Sequence, residues 1–150
     1  MSDIYNIDMR SYRIIGWISF FLSFVGTVSA LLAREYFPAL GFVVLSLVGL
    51  YIALGAGVFQ INSRHIEHRS YFGTWQITWN EISDAEIGIA DGTIILKGEN
   101  KRFVLSPPSW WSCSNKDEIL EFVFNMLESR GVTLISSKIA AYKTMKNTRV

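Results

Sequence analysis

The residues best suited to chemistry sit in one short run, His65-Ile66-Glu67-His68. Imidazole and carboxylate are metal-ligand types, but a closed zinc site takes four ligands. On a strand, positions i and i+3 point to opposite faces. On a helix the two imidazoles would share a face and still lack a fourth ligand. The run therefore reads as polar residues just outside an apolar block, with histidines able to respond to pH. Cys113 is the sole cysteine, which excludes an internal disulfide and a multi-cysteine metal site. No histidine lies near it in sequence to activate a thiol. Asp84, Glu86 and Asp91 read as the solvated face and turn of a hairpin. There is no Gly-rich phosphate loop, no HExxH and no GxSxG. The expectation is a protein that is not an enzyme, with no catalytic residues, no metal and no cofactor.

Two other features suit binding. Trp110 and Trp111 are adjacent in a loop after Pro107-Pro108. Both cannot point into one small core, so one packs and the other is available to a membrane interface or a protein partner. Beyond Ser136 the chain carries Lys138, Lys143, Lys146 and Arg149 with no acidic residue. Ile139, Tyr142 and Met145 recur every three residues. A short basic amphipathic helix lying on anionic headgroups fits this pattern, against the plainer alternative of a solvated terminus. Trp110, Trp111, Lys138, Lys143 and Lys146 are the candidate contact residues.

These features are positioned by an apolar block over residues 14–60. Residues 14–33 contain no charge, Arg34 and Glu35 follow, and the next charge is Arg64. A bilayer core needs about 20 apolar residues in a helix, and each half supplies them. The block reads as a two-helix transmembrane hairpin. A cleaved signal peptide is the alternative for the first half, with Val28-Ser29-Ala30 as its cleavage site, but the apolar run is longer than a usual signal core. Small residues form a helix-packing seam. Gly16, Ser19, Ser23, Gly26 and Ala30 line the first helix, and Ser46, Gly49, Ala53 and Ala56 line the second. Lipid gives helices no hydrophobic reason to associate, so close packing of small residues must do it. Phe20, Phe21, Phe24, Phe42, Val43, Leu50 and Leu54 are then expected to face lipid or a partner. No ionisable group lies inside either span, which argues against a transporter or channel acting alone. Arg10 and Arg13 precede the first span, Arg64 and Arg69 follow the second, and only Arg34 sits between. The positive-inside rule then puts both termini in the cytoplasm.

Residues 1–13 read as a polar N-terminal cytosolic stub. Residues 61–135 read as one cytosolic α+β domain, and 136–150 as a basic C-terminal tail. The domain shows five antiparallel strands: 61–70, 74–79, 84–89, 93–97 and 101–106. Trp75, Ile77 and Trp79 share one face. Ile94 and Leu96 point inward, with Thr93, Ile95 and Lys97 outward. Asp91-Gly92 marks a hairpin turn, and Pro107-Pro108 ends the last strand. A helix follows. Ser114 or Asn115 caps it, Ile119, Phe122, Val123, Met126 and Leu127 form its apolar stripe, and Gly131 stops it.

Gln76-Ile77-Thr78-Trp79-Asn80-Glu81-Ile82 resembles the I-x-W-x-x-I signature of bacterial pleckstrin-homology-like domains. The YcxB-like group of small bacterial membrane proteins places such a domain after two spans. The resemblance covers roughly residues 61–134, with the hairpin matching in layout. It implies an antiparallel half-barrel of about five strands capped by one C-terminal helix, and no shared catalytic residues.

A net charge of +1 gives no field for nucleic acid. The expected function is a non-enzymatic, multi-pass integral membrane protein with two spans. Its cytosolic domain serves as an interaction module, as scaffold or accessory subunit of a membrane complex. Its partners are the lipid bilayer and a membrane protein or a second copy of itself. The alternative is lipid-headgroup sensing through Arg64, Arg69, Lys97, Lys101 and Arg102; an enzyme with an unrecognised site comes third.

Overall fold

A computed structural model describes residues 4–150. It divides into two compact units.

The helical unit holds Met9–Gly57 together with the Ser70–Phe72 turn. Helix α1 spans Arg10–Leu32 and α2 spans Tyr36–Gly55, and both are long and apolar enough to cross a membrane. The reversal between them is short because α1 ends in a Schellman-type cap. The Glu35 N–H donates to the Ala30 carbonyl (2.8 Å) and the Arg34 N–H to that of Leu31 (3.0 Å). Arg34 takes the left-handed conformation (φ 59°) that this cap requires.

The second unit is α+β. Its strands are β1 (Tyr5–Asp8), β2 (Val58–Ile61), β3 (His65–Ser70), β4 (Gly73–Thr78), β5 (Asp84–Gly88), β6 (Ile94–Lys97), β7 (Arg102–Leu105) and β8 (Leu134–Ser137). They form two four-stranded sheets, ordered β1-β2-β3-β4 and β7-β6-β5-β8. Strand β8 lies parallel to β5, reached through helix α3 (Lys116–Glu128). The expected half-barrel of about five antiparallel strands is thus corrected, among the described residues, to eight strands in two sheets, one of them mixed, with no closed barrel.

Three strands account for the difference. Strand β1 lies in the stretch expected to be a stub, where Tyr5–Asp8 pairs antiparallel with Val58–Ile61. Strand β2 lies in what reads as the end of the second span, because Val58 and Phe59 continue its hydrophobicity. Strand β8 begins just after α3, which is therefore not the last element of the chain.

The α+β core is built by Ile61, Ile66, Ile77, Ala85, Ile94, Leu96, Phe103 and Leu105, all buried. Helix α3 adds Ile119, Val123 and Leu127, and its Phe122 ring lies against Tyr5 (5.1 Å) and Trp79 (6.4 Å). The Trp79 indole N–H donates to the Asn62 carbonyl (2.7 Å), so its polar edge is satisfied inside the core. Gly131 stops α3 in the left-handed region (φ 69°), with the Val132 N–H closing onto the Leu127 carbonyl.

The C-terminal segment is neither an amphipathic helix nor a frayed end. After β8 it makes one 3₁₀ turn, Ala140–Tyr142, and then crosses the outer face of the second sheet. Ala140 sits over Gly88, Lys143 reaches Glu86, and the Thr144 carbonyl receives the Arg102 guanidinium. Lys146 and Arg102 exchange both backbone hydrogen bonds (2.8 and 2.9 Å). Two residues on, the Gln76 N–H donates to the Thr148 carbonyl and the Val150 N–H to that of Thr74. The segment therefore bridges the free edge of β7 to the free edge of β4. It also explains why Ile95, expected on the solvent side, is fully buried.

Candidate functional site

His65 and His68 lie on opposite faces of β3. On one face His65 Nε2 is 3.6 Å from Glu67 Oε2, and Arg69 pairs with the same carboxylate. On the other, His68 is buried in a row of stacked rings. Phe59 of β2 lies opposite it at 4.3 Å and Trp75 of β4 at 5.6 Å, with Phe103 beyond Phe59. His68 Nδ1 has no hydrogen-bond partner among the described residues. Burial disfavours the imidazolium and lowers the His68 pKa to about 4. This histidine is neutral at physiological pH and serves as a flat ring in the core. Among the described residues no three His, Cys, Asp or Glu side chains converge on one point.

The carboxylates named above hold structure. Glu86 accepts from both Lys143 and Lys97, which brings its pKa down to about 2. Lys143, a candidate contact residue, is thereby committed to fastening the C-terminal segment onto β5. Asp91 accepts from the Thr93 hydroxyl (2.6 Å) and backbone N–H (3.0 Å), which lowers its pKa and fixes the hairpin turn. Glu81 receives Lys101 and the Thr78 N–H (2.9 Å), and these lower its pKa in turn. Cys113 is half-buried in the loop before α3.

The two tryptophans separate. Trp111 is the one that packs, at 2% exposure, with its indole N–H on the Ser106 carbonyl (2.9 Å). Trp110 is half-buried in a 3₁₀ turn, Pro108–Trp110. Lys138 and Lys146 are exposed.

Apolar side chains are also exposed near β8, and two of them, Ile139 and Tyr142, were expected on one face of a basic helix. Ile89, Ile135, Ile139 and Tyr142 are all exposed, Tyr142 at 85%. The Ile89 N–H donates to the Ser137 carbonyl, Ile135 pairs with Glu86, and Ile139 begins the 3₁₀ turn after β8. Ile135 lies in the edge strand β8, Ile89 just after β5, and Ile139 and Tyr142 at the 3₁₀ turn that follows β8, with Lys138 between. Ile135 falls in no repeat that the sequence shows, whereas Ile139 and Tyr142 were visible as a three-residue repeat that the chain uses in a single 3₁₀ turn.

In the helical unit, a Cβ on Gly16 would fall 2.5 Å from the Ala53 nitrogen, and one on Gly49 would fall 2.6 Å from the Phe20 nitrogen. The helix backbones approach closely there. Gly26 lies under the Phe42 ring, at 2.9 Å by the same measure. Ser23 is half-buried, and its carbonyl accepts the Thr27 hydroxyl (3.0 Å). The Phe42 ring, expected outward, thus takes part in the contact, while Phe20 meets Gly49 through its backbone. Leu22, Val25, Leu40 and Leu47 remain on the outside, each more than half exposed. Comparison with protein-family models, with curated proteins and with solved structures finds no match to this chain.

Proposed function

We propose that this is a two-span integral membrane protein whose α+β unit is a non-enzymatic, pleckstrin-homology-like interaction module, acting as an accessory subunit or scaffold of a membrane complex. Both termini lie in the cytoplasm by the balance of Arg10, Arg13, Arg64 and Arg69 against Arg34. The observation that carries the interaction reading is the exposure of Ile89, Ile135, Ile139 and Tyr142 on and around strand β8. Single apolar residues on a surface mean little, but four on segments joined through the β5–β8 pairing support a contact site. Lys138 adds a cation for an acidic residue on the partner. Headgroup sensing has less support, because Arg69, Lys97 and Lys101 already hold Glu67, Glu86 and Glu81.

The test is the mass of the full-length protein extracted gently from its own membrane, by native gel and mass spectrometry. A particle containing other protein chains in fixed ratio is the expected result. A particle of this chain and lipid alone would reject the subunit reading.

A further inference from the structure

We propose that the Ser70–Phe72 turn is a third membrane contact, a loop inserted at the boundary between headgroups and hydrocarbon beside the end of α2. The inference rests on the spanning reading of α1 and α2. The turn connects two strands of the α+β unit, yet it belongs to the helical unit. Three contacts fix it there. The Tyr71 N–H donates to the Leu54 carbonyl (3.3 Å), one of the carbonyls that a helix end leaves without an intrahelical partner. The Phe72 ring stacks on Tyr51 of α2 at 5.3 Å, with 26° between the planes. The same ring lies over Gly55, 3.5 Å from where a Cβ there would stand, which is van der Waals contact.

Depth follows from the helix. Tyr51 is one turn before the end of α2, roughly 6 Å inward along the axis. A ring stacked on it shares its level. Trp17 of α1 is at a similar level, since its neighbour Gly16 touches Ala53. Tyr51 of α2 is 68% exposed and Tyr71 of the turn is 81% exposed. In water these rings would be an apolar liability. At a bilayer boundary, amphipathic rings of this kind are enriched, with the body in hydrocarbon and the hydroxyl among headgroups. The occupant that fits is therefore lipid, continuous with the lipid around the spans.

The test uses the full chain in a Cys113→Ser background, carrying Tyr71→Cys labelled with a polarity-sensitive fluorophore. The protein is placed in phosphatidylcholine–phosphatidylglycerol vesicles containing lipids with a nitroxide near the headgroup or deep in the acyl chain. Val44→Cys, on the outward face in the middle of α2, is the control. The expected result is loss of emission at position 71 with the shallow nitroxide more than the deep one, and the reverse order at position 44. Emission at 71 that neither nitroxide quenches, with position 44 quenched, would place the loop in water or under protein and overturn the proposal. If position 44 also escapes quenching, the spanning reading itself fails, and the proposal with it.

Discussion

His68 shows how one residue can be polar by type and apolar by duty. Its ordinary pKa is 6.5, and burial between Phe59 and Trp75 lowers it to about 4. Between those values the unfolded chain takes up a proton that the folded chain refuses. Stability is therefore complete above pH 6.5 and declines as pH falls toward 4. From pH 7 to pH 5 the loss should be about 2 kcal/mol. Urea unfolding of the detergent-solubilised chain at the two pH values measures it. His68→Phe keeps a flat ring in the stack and should remove most of that difference. Glu86 acts in a lower window. Its pKa is held down by Lys143 and Lys97, so the stability it contributes is present above about pH 4.5 and disappears as pH falls to about 2.

At the scale of elements, the helix pair and the C-terminal segment make separate predictions. Gly49→Leu pushes a side chain into the Phe20 backbone and should cost about 1–3 kcal/mol of hairpin stability. Gly41 has open space around it, so Gly41→Leu should be neutral in the same thermal assay. Equal effects at both positions would contradict the packing. Glu86→Gln removes the carboxylate that ties Lys143 to β5. Limited trypsin digestion should then cut faster after Lys143 and Lys146 than in the parent protein, with the rest of the α+β unit intact. The spacing of small residues that marks Gly16 and Gly49 in the sequence coincides with the points where the helix backbones meet. Strands β5 to β7 and the Gly131 stop were equally legible, because alternation and a left-handed cap are local signals, whereas the expected strand 61–70 begins as β3 only at His65 and the expected strand 74–79 gives up Trp79 to a 3₁₀ turn. Strand β2 was not, since Val58 and Phe59 prolong the hydrophobicity of a helix that ends at Gly55. Nor was the burial of Ile95, which depends on a segment some fifty residues away in sequence crossing its strand.

At the scale of the whole molecule, one chain carries two surfaces that water does not suit. The proposed reading puts lipid on the outward faces of α1 and α2 and a protein partner on the exposed residues around β8. The central claim, that these residues are where a partner binds, is tested by site-specific photo-crosslinking in the native membrane. A benzophenone side chain replaces Tyr142, with Glu121 on the exposed side of α3 as reference. The account predicts one adduct of defined mass from position 142 and none from position 121. Ile135→Asp combined with Ile139→Asp, both exposed positions, should abolish it while leaving the pH 7 unfolding curve in place. The same adducts from both positions, or an adduct that survives the double substitution, would contradict it.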